Sequence, residues 1–220
     1  MSTIATKRIL IADDHSIVRF GLQLLIREIA ETQCTIDAAK DGSEALRLSR
    51  ENSYDVLILD INMPNSDSLS LIRDVIAVQP HIRILILSVN AEKVYAKRYL
   101  QAGAYGYVQK GASDEELKNA LIHIFKGLRY FSHALMLHFS EALLGKNTSN
   151  PFDKLSAREF SAARLFLEGY GIAEVAEALH ISPSTTSTHK ARIYGKLRVD
   201  NLIDLQKLAK LHQILEERES

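Results

Sequence analysis

Cysteine is almost absent. Cys34 stands alone among 220 residues, which excludes a disulfide framework and a thiolate metal site. It falls in the strand-like stretch Cys34-Thr35-Ile36-Asp37-Ala38-Ala39, where a buried, inert thiol is expected. Long apolar runs are missing as well. No stretch approaches the roughly 18 apolar residues that a membrane span requires. The opening Met1-Ser2-Thr3-Ile4 does not start a signal peptide, so a cytoplasmic location is expected. Excess charge of either sign is also lacking: 27 basic side chains balance 27 acidic ones. That balance argues against a uniformly basic nucleic-acid binder but leaves room for a local patch. Between Ser184 and Arg198 the charged residues are Lys190, Arg192, Lys196 and Arg198, with no acid among them. Internal repeats and low-complexity tracts are absent. What remains is a chain that is 46% hydrophobic, with enough apolar content for a sizeable core and a length that suits one or two domains.

Two periodicities divide that content. From Arg8 to Lys126 short apolar runs alternate with amphipathic stretches, the pattern of a parallel sheet with crossover helices. Strands are expected near 8–12, 34–39, 55–60, 83–88 and 105–109. In the first helix Val18, Leu22, Leu25, Ile26 and Ile29 recur at i, i+4, i+7, i+8 and i+11. Further helices are expected near 43–52, 67–78, 91–101 and 114–126, the last opened by a capping box, Ser113-Asp114-Glu115-Glu116. Residues 132–144 are apolar enough for a connecting helix, and Gly145 to Pro151 is polar and turn-rich, the place for a linker.

Beyond the linker the periodicity is helical throughout. Ser156-Ala157-Arg158-Glu159 is a second capping box, and its helix should stop near Gly169. Ile172, Val175, Ala176 and Leu179 form the apolar face of the next helix. A break at His180-Ile181-Ser182-Pro183 leads into a further helix with proline in its first turn. A last helix from about Asn201 carries Leu202, Leu205, Leu208, Ala209 and Leu211. Two helices joined by a tight turn in a small bundle is helix-turn-helix architecture.

Chemistry concentrates at the strand ends. Asp13-Asp14 follow Ile9-Leu10-Ile11-Ala12, and Asp60 follows Val56-Leu57-Ile58-Leu59. Ser88 ends Ile84-Leu85-Ile86-Leu87, and Lys110 follows Tyr105-Gly106-Tyr107-Val108. In a parallel sheet the strand C-termini share one edge, where ligand sites form. Three carboxylates, a hydroxyl and an ammonium should therefore meet in one crevice. A carboxylate that attacks a phosphoryl group must overcome charge repulsion, which a bridging divalent cation relieves. Magnesium favours one or two carboxylates, waters and phosphate oxygens. Asp13, Asp14 and Asp60 supply carboxylates, and the backbone carbonyl of Asn62 is a further candidate ligand. Lys110 suits a phosphoryl oxygen as a point charge, and Ser88 is placed to donate to another.

These residues resemble, position by position, those of bacterial two-component receiver domains. The resemblance covers residues 7–126 and rests on Asp13-Asp14, Asp60 in Leu-Asp-Ile-Asn-Met-Pro, Ser88, Tyr107 and Lys110. It implies a flavodoxin-like fold, Asp60 as phosphoacceptor, Mg2+ or Mn2+ as cofactor, and Ser88, Tyr107 and Lys110 as switch residues. It also implies a sensor histidine kinase or a small phosphodonor as phosphoryl source. Gly111 stands where many receivers have a proline after the lysine. An aspartyl-phosphate phosphatase is disfavoured, because such enzymes carry an acid/base aspartate two residues after the nucleophile and Asn62 holds that position.

Residues 151–213 resemble the output domain of the LuxR/NarL (FixJ) class of regulators. The resemblance is carried by Leu155-Ser156, Arg158-Glu159, Gly169, Val175-Ala176, Leu179, Ile181-Ser182, Thr185, His189, Ile193 and Lys196-Leu197. Thr186 departs from the usual valine and should face the bundle, its hydroxyl satisfied by the backbone. With Thr186, Ile193 and Leu197 inward, Ser184, Ser187, Thr188, Ala191 and Gly195 point outward. DNA contact is therefore expected from Ser184, Thr185, Ser187, Thr188, Lys190, Ala191 and Arg192. The long basic side chains would reach phosphates, and small hydroxyls and methyls, helped by DNA shape, would read bases. The family commonly pairs through its last helix, which implies a homodimer on double-stranded DNA.

The expected chain is thus a five-stranded doubly wound receiver (7–126), a partly helical linker (127–150), a four-helix helix-turn-helix domain (151–213) and a short tail (214–220). It is not expected to be an enzyme beyond slow self-phosphorylation and self-dephosphorylation. The expected function is transcription control by phosphorylation, with two rivals: a regulator that binds DNA regardless of phosphorylation, and the aspartate-dependent phosphatase.

Overall fold

A computed structural model describes residues 7–29, 34–64, 66–144 and 150–214. The side chains of residues 142 and 143 lie outside that description, as does most of the polar stretch expected to be linker and nearly all of the expected tail. Five parallel strands, β1 (Lys7–Ala12), β2 (Cys34–Ala39), β3 (Val56–Leu59), β4 (Arg83–Ser88) and β5 (Gly106–Gln109), form one sheet in the order β2-β1-β3-β4-β5. The crossover helices are α1 (Ser16–Ile29), α2 (Gly42–Glu51), α3 (Ser68–Val78), α4 (Glu92–Gln101) and α5 (Asp114–Phe125). The fold is the doubly wound one that the alternating pattern predicts, with element ends within a residue or so of expectation.

Strand pleating explains why both faces are covered. Ile9, Ile11, Ile58, Leu85 and Leu87 point to one side and pack with Leu22, Ile26, Leu121 and Ile124 of α1 and α5. Leu10, Leu57, Leu59, Ile84 and Ile86 point to the other and pack toward α2, α3 and α4. β1 and β3 are sheet neighbours although β2 separates them in sequence. The strand order reverses at that pair, so its C-terminal end is the crevice where a ligand sits in such sheets.

Two local expectations need correction. Cys34 is half-buried rather than buried. It opens β2, an edge strand of the sheet, whose outer side no further strand covers among the described residues. The Ser113 capping box forms by half: its Oγ accepts from Glu116 N at 3.2 Å. The Glu116 carboxylate instead accepts the Tyr130 hydroxyl, because the chain after α5 returns along the sheet. There Tyr130 N donates to Tyr105 O and Tyr130 bridges to Gly106. A Cβ on Gly106 would meet the Tyr130 carbonyl at 3.1 Å, a contact tight enough that the returning chain would have to give by a few tenths of an ångström.

The connecting helix is α6 (His133–Leu143), whose start is capped by Ser132 Oγ accepting from Leu135 N at 3.0 Å. The second bundle opens with a short 3-10 turn (Pro151–Lys154) and contains α7 (Ala157–Leu167), α8 (Ile172–Ala178), α9 (Pro183–Leu197) and α10 (Leu202–Leu211). Gly169, at φ +100°, takes the left-handed conformation that stops α7. The Ser156 capping box is complete: Glu159 N donates to Ser156 Oγ and Ser156 N donates to Glu159 Oε2. Lys196 of α9 reaches the same Oε2 at 2.6 Å, tying α7 to α9.

The Glu159 carboxyl is held below its ordinary 4.5: burial opposes ionisation, but Lys196 and the Ser156 N–H outweigh it. A depressed carboxyl contributes stability in full above its unfolded value and loses it as pH falls through the folded one. Glu159→Gln keeps an oxygen that can complete the cap and removes the screened ion pair, so it should cost up to about 1 kcal/mol near neutrality. Thermal unfolding of the two chains should converge as pH falls below 4.5; a pH-independent gap would remove the ion pair from the account.

Candidate functional site

The crevice is built by four strand ends. Asp13 follows β1 and Asp60 follows β3, both almost wholly buried, at 1% and 2% exposure. Lys110, just past β5, places its ammonium between them, 2.7 Å from Asp13 Oδ2 and 2.8 Å from Asp60 Oδ2. Burial opposes its charge, yet the two carboxylates hold its pKa above 10.5. Burial pushes the Asp60 carboxyl up, against the pull of Lys110 and of the Asn62 N–H at 2.9 Å. Asp14 is exposed at the rim, and His15 bridges the acidic pair, 2.8 Å from Asp14 Oδ1 and 3.3 Å from Asp13 Oδ1. One ligand atom from each of Asp13, Asp14, His15 and Asp60 lies within 4.8 Å of the others. The three carboxylates of this group are hard oxygen donors that fit a divalent cation such as Mg2+. Two fully buried carboxylates sharing a single ammonium leave the crevice short of positive charge.

The other expected residues lie beside this cluster. Ser88 is fully buried and its Oγ accepts from Asn90 N at 3.1 Å. Tyr107 is also fully buried, and its hydroxyl donates to Asn90 O at 3.0 Å. The Asn90 side chain donates to Asn62 Oδ1 at 2.7 Å. Asn90 thus joins the loop after β3 to the loop after β4. Sequence reading missed it, and its position two residues past Ser88 is the only clue. His15 was equally unmarked, although it directly follows the acidic pair.

In the second bundle, α9 has the orientation its periodicity predicts. Thr186 and Ile193 are fully buried and Leu197 nearly so, while Ser184, Thr185, Ser187, Thr188, Ala191, Arg192 and Gly195 are exposed. The exposed face is open although the first domain packs against the same bundle. Ser187 and Thr188 hydroxyls donate back to Pro183 O and Ser184 O, leaving their oxygens free to accept from outside. Lys190 turns toward its own bundle, its ammonium 5.3 Å from the Phe166 ring and 5.7 Å from the Tyr194 ring. That is cation–π geometry, so Arg192 is the more outward of the two bases.

An acidic strand-end crevice on a 2-1-3-4-5 sheet, joined to an open recognition helix, defines a DNA-binding regulator governed from a receiver. The family comparisons agree. Residues 9–122 match the response regulator receiver domain, and residues 153–209 match the bacterial regulatory proteins of the luxR family. The chain belongs to the response regulators that join these two domains, and it is a transcription regulator controlled by phosphorylation. It is 31% identical to the response regulator GacA of Pseudomonas aeruginosa over 210 residues, covering 95% of this chain and 98% of GacA. It is 29% identical to the response regulator UvrY of Escherichia coli K12 over 205 residues, 93% and 94% of the two chains. A solved structure of the RcsB response regulator of Salmonella typhimurium superposes with a TM-score of 0.75 at 26% identity, covering 96% and 100%. RcsB of Salmonella enterica bound to a promoter with the phosphomimetic BeF3- gives 0.74 at 26% identity, covering 93% and 98%.

Thr186 Oγ1 donates to Ser182 O at 3.2 Å, a carbonyl that also accepts Thr186 N at 3.0 Å. Removing the hydroxyl therefore orphans nothing. Thr186→Val should leave unfolding free energy within about 1 kcal/mol of the parent and duplex binding unchanged; a larger loss would assign the hydroxyl a further partner.

Proposed function

We propose that Asp60 accepts a phosphoryl group from a sensor histidine kinase or a small phosphodonor, and that this controls DNA binding through α9. The observation that carries the reading is the charge shortfall around Asp60, where Asp13 and Asp60 share Lys110. Asp13, Asp14 and Asp60, with the Asn62 carbonyl, would hold Mg2+ or Mn2+, which offsets the repulsion between carboxylate and phosphoryl group. An Asp60 oxygen attacks phosphorus, the bond to the donor atom breaks, and the donor leaves with its electron pair. Lys110 then exchanges Asp60 Oδ2 for a phosphoryl oxygen. Ser88 donates its hydroxyl to another, and Tyr107 responds through Asn90, which both now hold. Asn62 offers no general acid, so hydrolysis of the acyl phosphate is left to water.

A protein donor must approach over the crevice rim, where Asp14 and His15 lead into α1. Ile17, Phe20 and Leu24 of that helix are exposed at 82%, 62% and 52%, an apolar face beside the site. On DNA, α10 supports pairing of two chains. Leu205 and Ala209 are buried, but Ile203 and Leu211 remain 64% and 76% exposed, an apolar side not used by the bundle. Residues 7–126 act as receiver and 151–213 as reader, joined by the partly helical segment between them.

A second reading has an observation of its own. Because the outward face of α9 is exposed in the unphosphorylated chain, DNA binding without phosphorylation is sterically open. Duplex binding with and without Mg2+ and BeF3- separates a phosphorylation-gated reader from an ungated one.

Two outcomes follow from these roles. Intact mass after incubation with acetyl phosphate and Mg2+ should show one added phosphoryl group in the wild type and none in Asp60→Asn. Incorporation that persists in the variant would move the acceptor elsewhere. Arg192→Ala should weaken binding to duplexes of different sequence alike and reduce the salt slope by about 1; an unchanged slope would take Arg192 off the phosphates.

A further inference from the structure

One face of α7 is bonded to the loop that carries Asp60. Arg164 donates to the backbone carbonyl of Ile61 at 2.8 Å, and Ile61 lies between Asp60 and Asn62. The guanidinium is 13% exposed and also pairs with Glu168 at 3.4 Å. One turn earlier, Ser161 Oγ donates to Asp67 Oδ1 at 2.9 Å. One turn earlier again, Arg158 pairs with Asp67 Oδ2. Asp67 is the N-cap of α3, so residues 158, 161 and 164 hold both ends of the β3–α3 loop.

The same bundle pins α4. Arg98 donates to Phe152 O and to Leu155 O, with its guanidinium 4.2 Å from the Phe160 ring. Tyr95 meets Phe160 edge-on at 5.4 Å, and its hydroxyl donates to Ile214 O at 2.9 Å. The apolar cluster runs without a break from Ile86 and Tyr107 through Tyr95 and Phe160 into the effector core.

These contacts oppose the rearrangement that a phosphoryl group requires. Ser88 Oγ now accepts from Asn90 N and Tyr107 donates to Asn90 O. Turning Ser88 toward Asp60 means releasing Asn90, whose loop leads directly into α4, and α4 is fastened to the effector domain. We infer that Arg164 of the effector domain is a positioning residue for the phosphorylation chemistry. It holds the Ile61 carbonyl, and with it the acceptor loop, in the arrangement of the unphosphorylated state. The effector domain thereby lowers the affinity of its own receiver for a phosphoryl group. This rests on Asp60 being the acceptor. Coupling between two sites is reciprocal, so whatever opens the interface must tighten phosphoryl binding by the factor that phosphorylation favours opening. The effector domain is then a brake on its own activation, acting on the acceptor loop and not by covering the recognition helix.

The test is the dissociation constant of BeF3- in excess Mg2+, measured by calorimetry on the full chain, with small-angle scattering to follow domain separation. Arg164→Met should bind BeF3- about tenfold more tightly than wild type, equivalent to about 1.4 kcal/mol, and show a larger radius of gyration. Arg164→Lys, which keeps a charged donor, should fall back toward wild type. Tyr95→Phe removes only the hydroxyl that reaches Ile214 and leaves the α7 packing in place, so it guards against loss of fold; it should tighten binding a few-fold. Equal affinities in chains that scattering shows to have opened would overturn the inference, as would weaker binding in Arg164→Met. Absence of BeF3- binding in every folded chain, wild type included, would sink the assignment of Asp60 and this inference with it.

Discussion

A single ammonium between two buried carboxylates organises this molecule. Lys110 lies within 2.8 Å of both Asp13 and Asp60, and without it two like charges would face each other in a medium that screens them poorly. The arrangement holds three strand ends together, β1, β3 and β5, and does so with one positive charge too few. Such a site is stable enough to fold and still favours a further cation. On the proposed reading, a phosphoryl group on Asp60 would add negative charge to that balance, which Lys110 and a divalent ion would then share. The chemistry and the conformational response therefore draw on one electrostatic deficit.

On the same reading, the sheet topology would turn this deficit into a mechanical signal. Asp60 and Ser88 sit at the ends of adjacent strands, and the loops that follow are laced together through Asn62 and Asn90. The loop after β3 ends at Asp67 and the loop after β4 feeds α4, so both surfaces that meet the effector bundle begin within a few residues of the chemistry. The helical spacing of Arg158, Ser161 and Arg164 brings three donors onto that edge from one face of α7. The proposed coupling needs no long pathway, because the second domain is in direct contact with the loop after β3 and with α4.

Much of this is legible in the sequence itself. Apolar runs ending in Asp13-Asp14, Asp60 and Ser88 gave the strands, the sheet edge and the clustering of charge, since strand direction and burial follow from local pattern. The stripe of Thr186, Ile193 and Leu197 oriented α9 correctly, including a threonine where an apolar residue is usual. What could not be read is what depends on packing between segments distant in sequence. Arg158 and Glu159 carry the family resemblance side by side. Only the fold shows that Glu159 ties α7 to α9 while Arg158 ties the bundle to Asp67, 91 residues away. Glu116 looked like a capping partner for Ser113, but Tyr130 returned along the sheet and took its carboxylate. Cys34 read as buried because its neighbours are strand-like, and the position of β2 at the sheet edge, a matter of strand order, decided otherwise.

The open recognition helix constrains how control is exerted. A repressive interface that covered α9 would have to be dismantled before any DNA contact, and phosphorylation would act as a simple unmasking. Here the outward face of α9 carries small hydroxyls and is exposed, whereas the effector surfaces in use are α7, the 3-10 turn before it and Ile214 beyond α10. Domain closure therefore fixes where the reader sits relative to its receiver and leaves its chemistry untouched. If two readers occupy adjacent half-sites, as proposed above, they must adopt one relative placement, and holding each against its own receiver would restrict that pairing. Specificity and control then reside on different faces of the same small bundle, and a substitution on one face need not disturb the other.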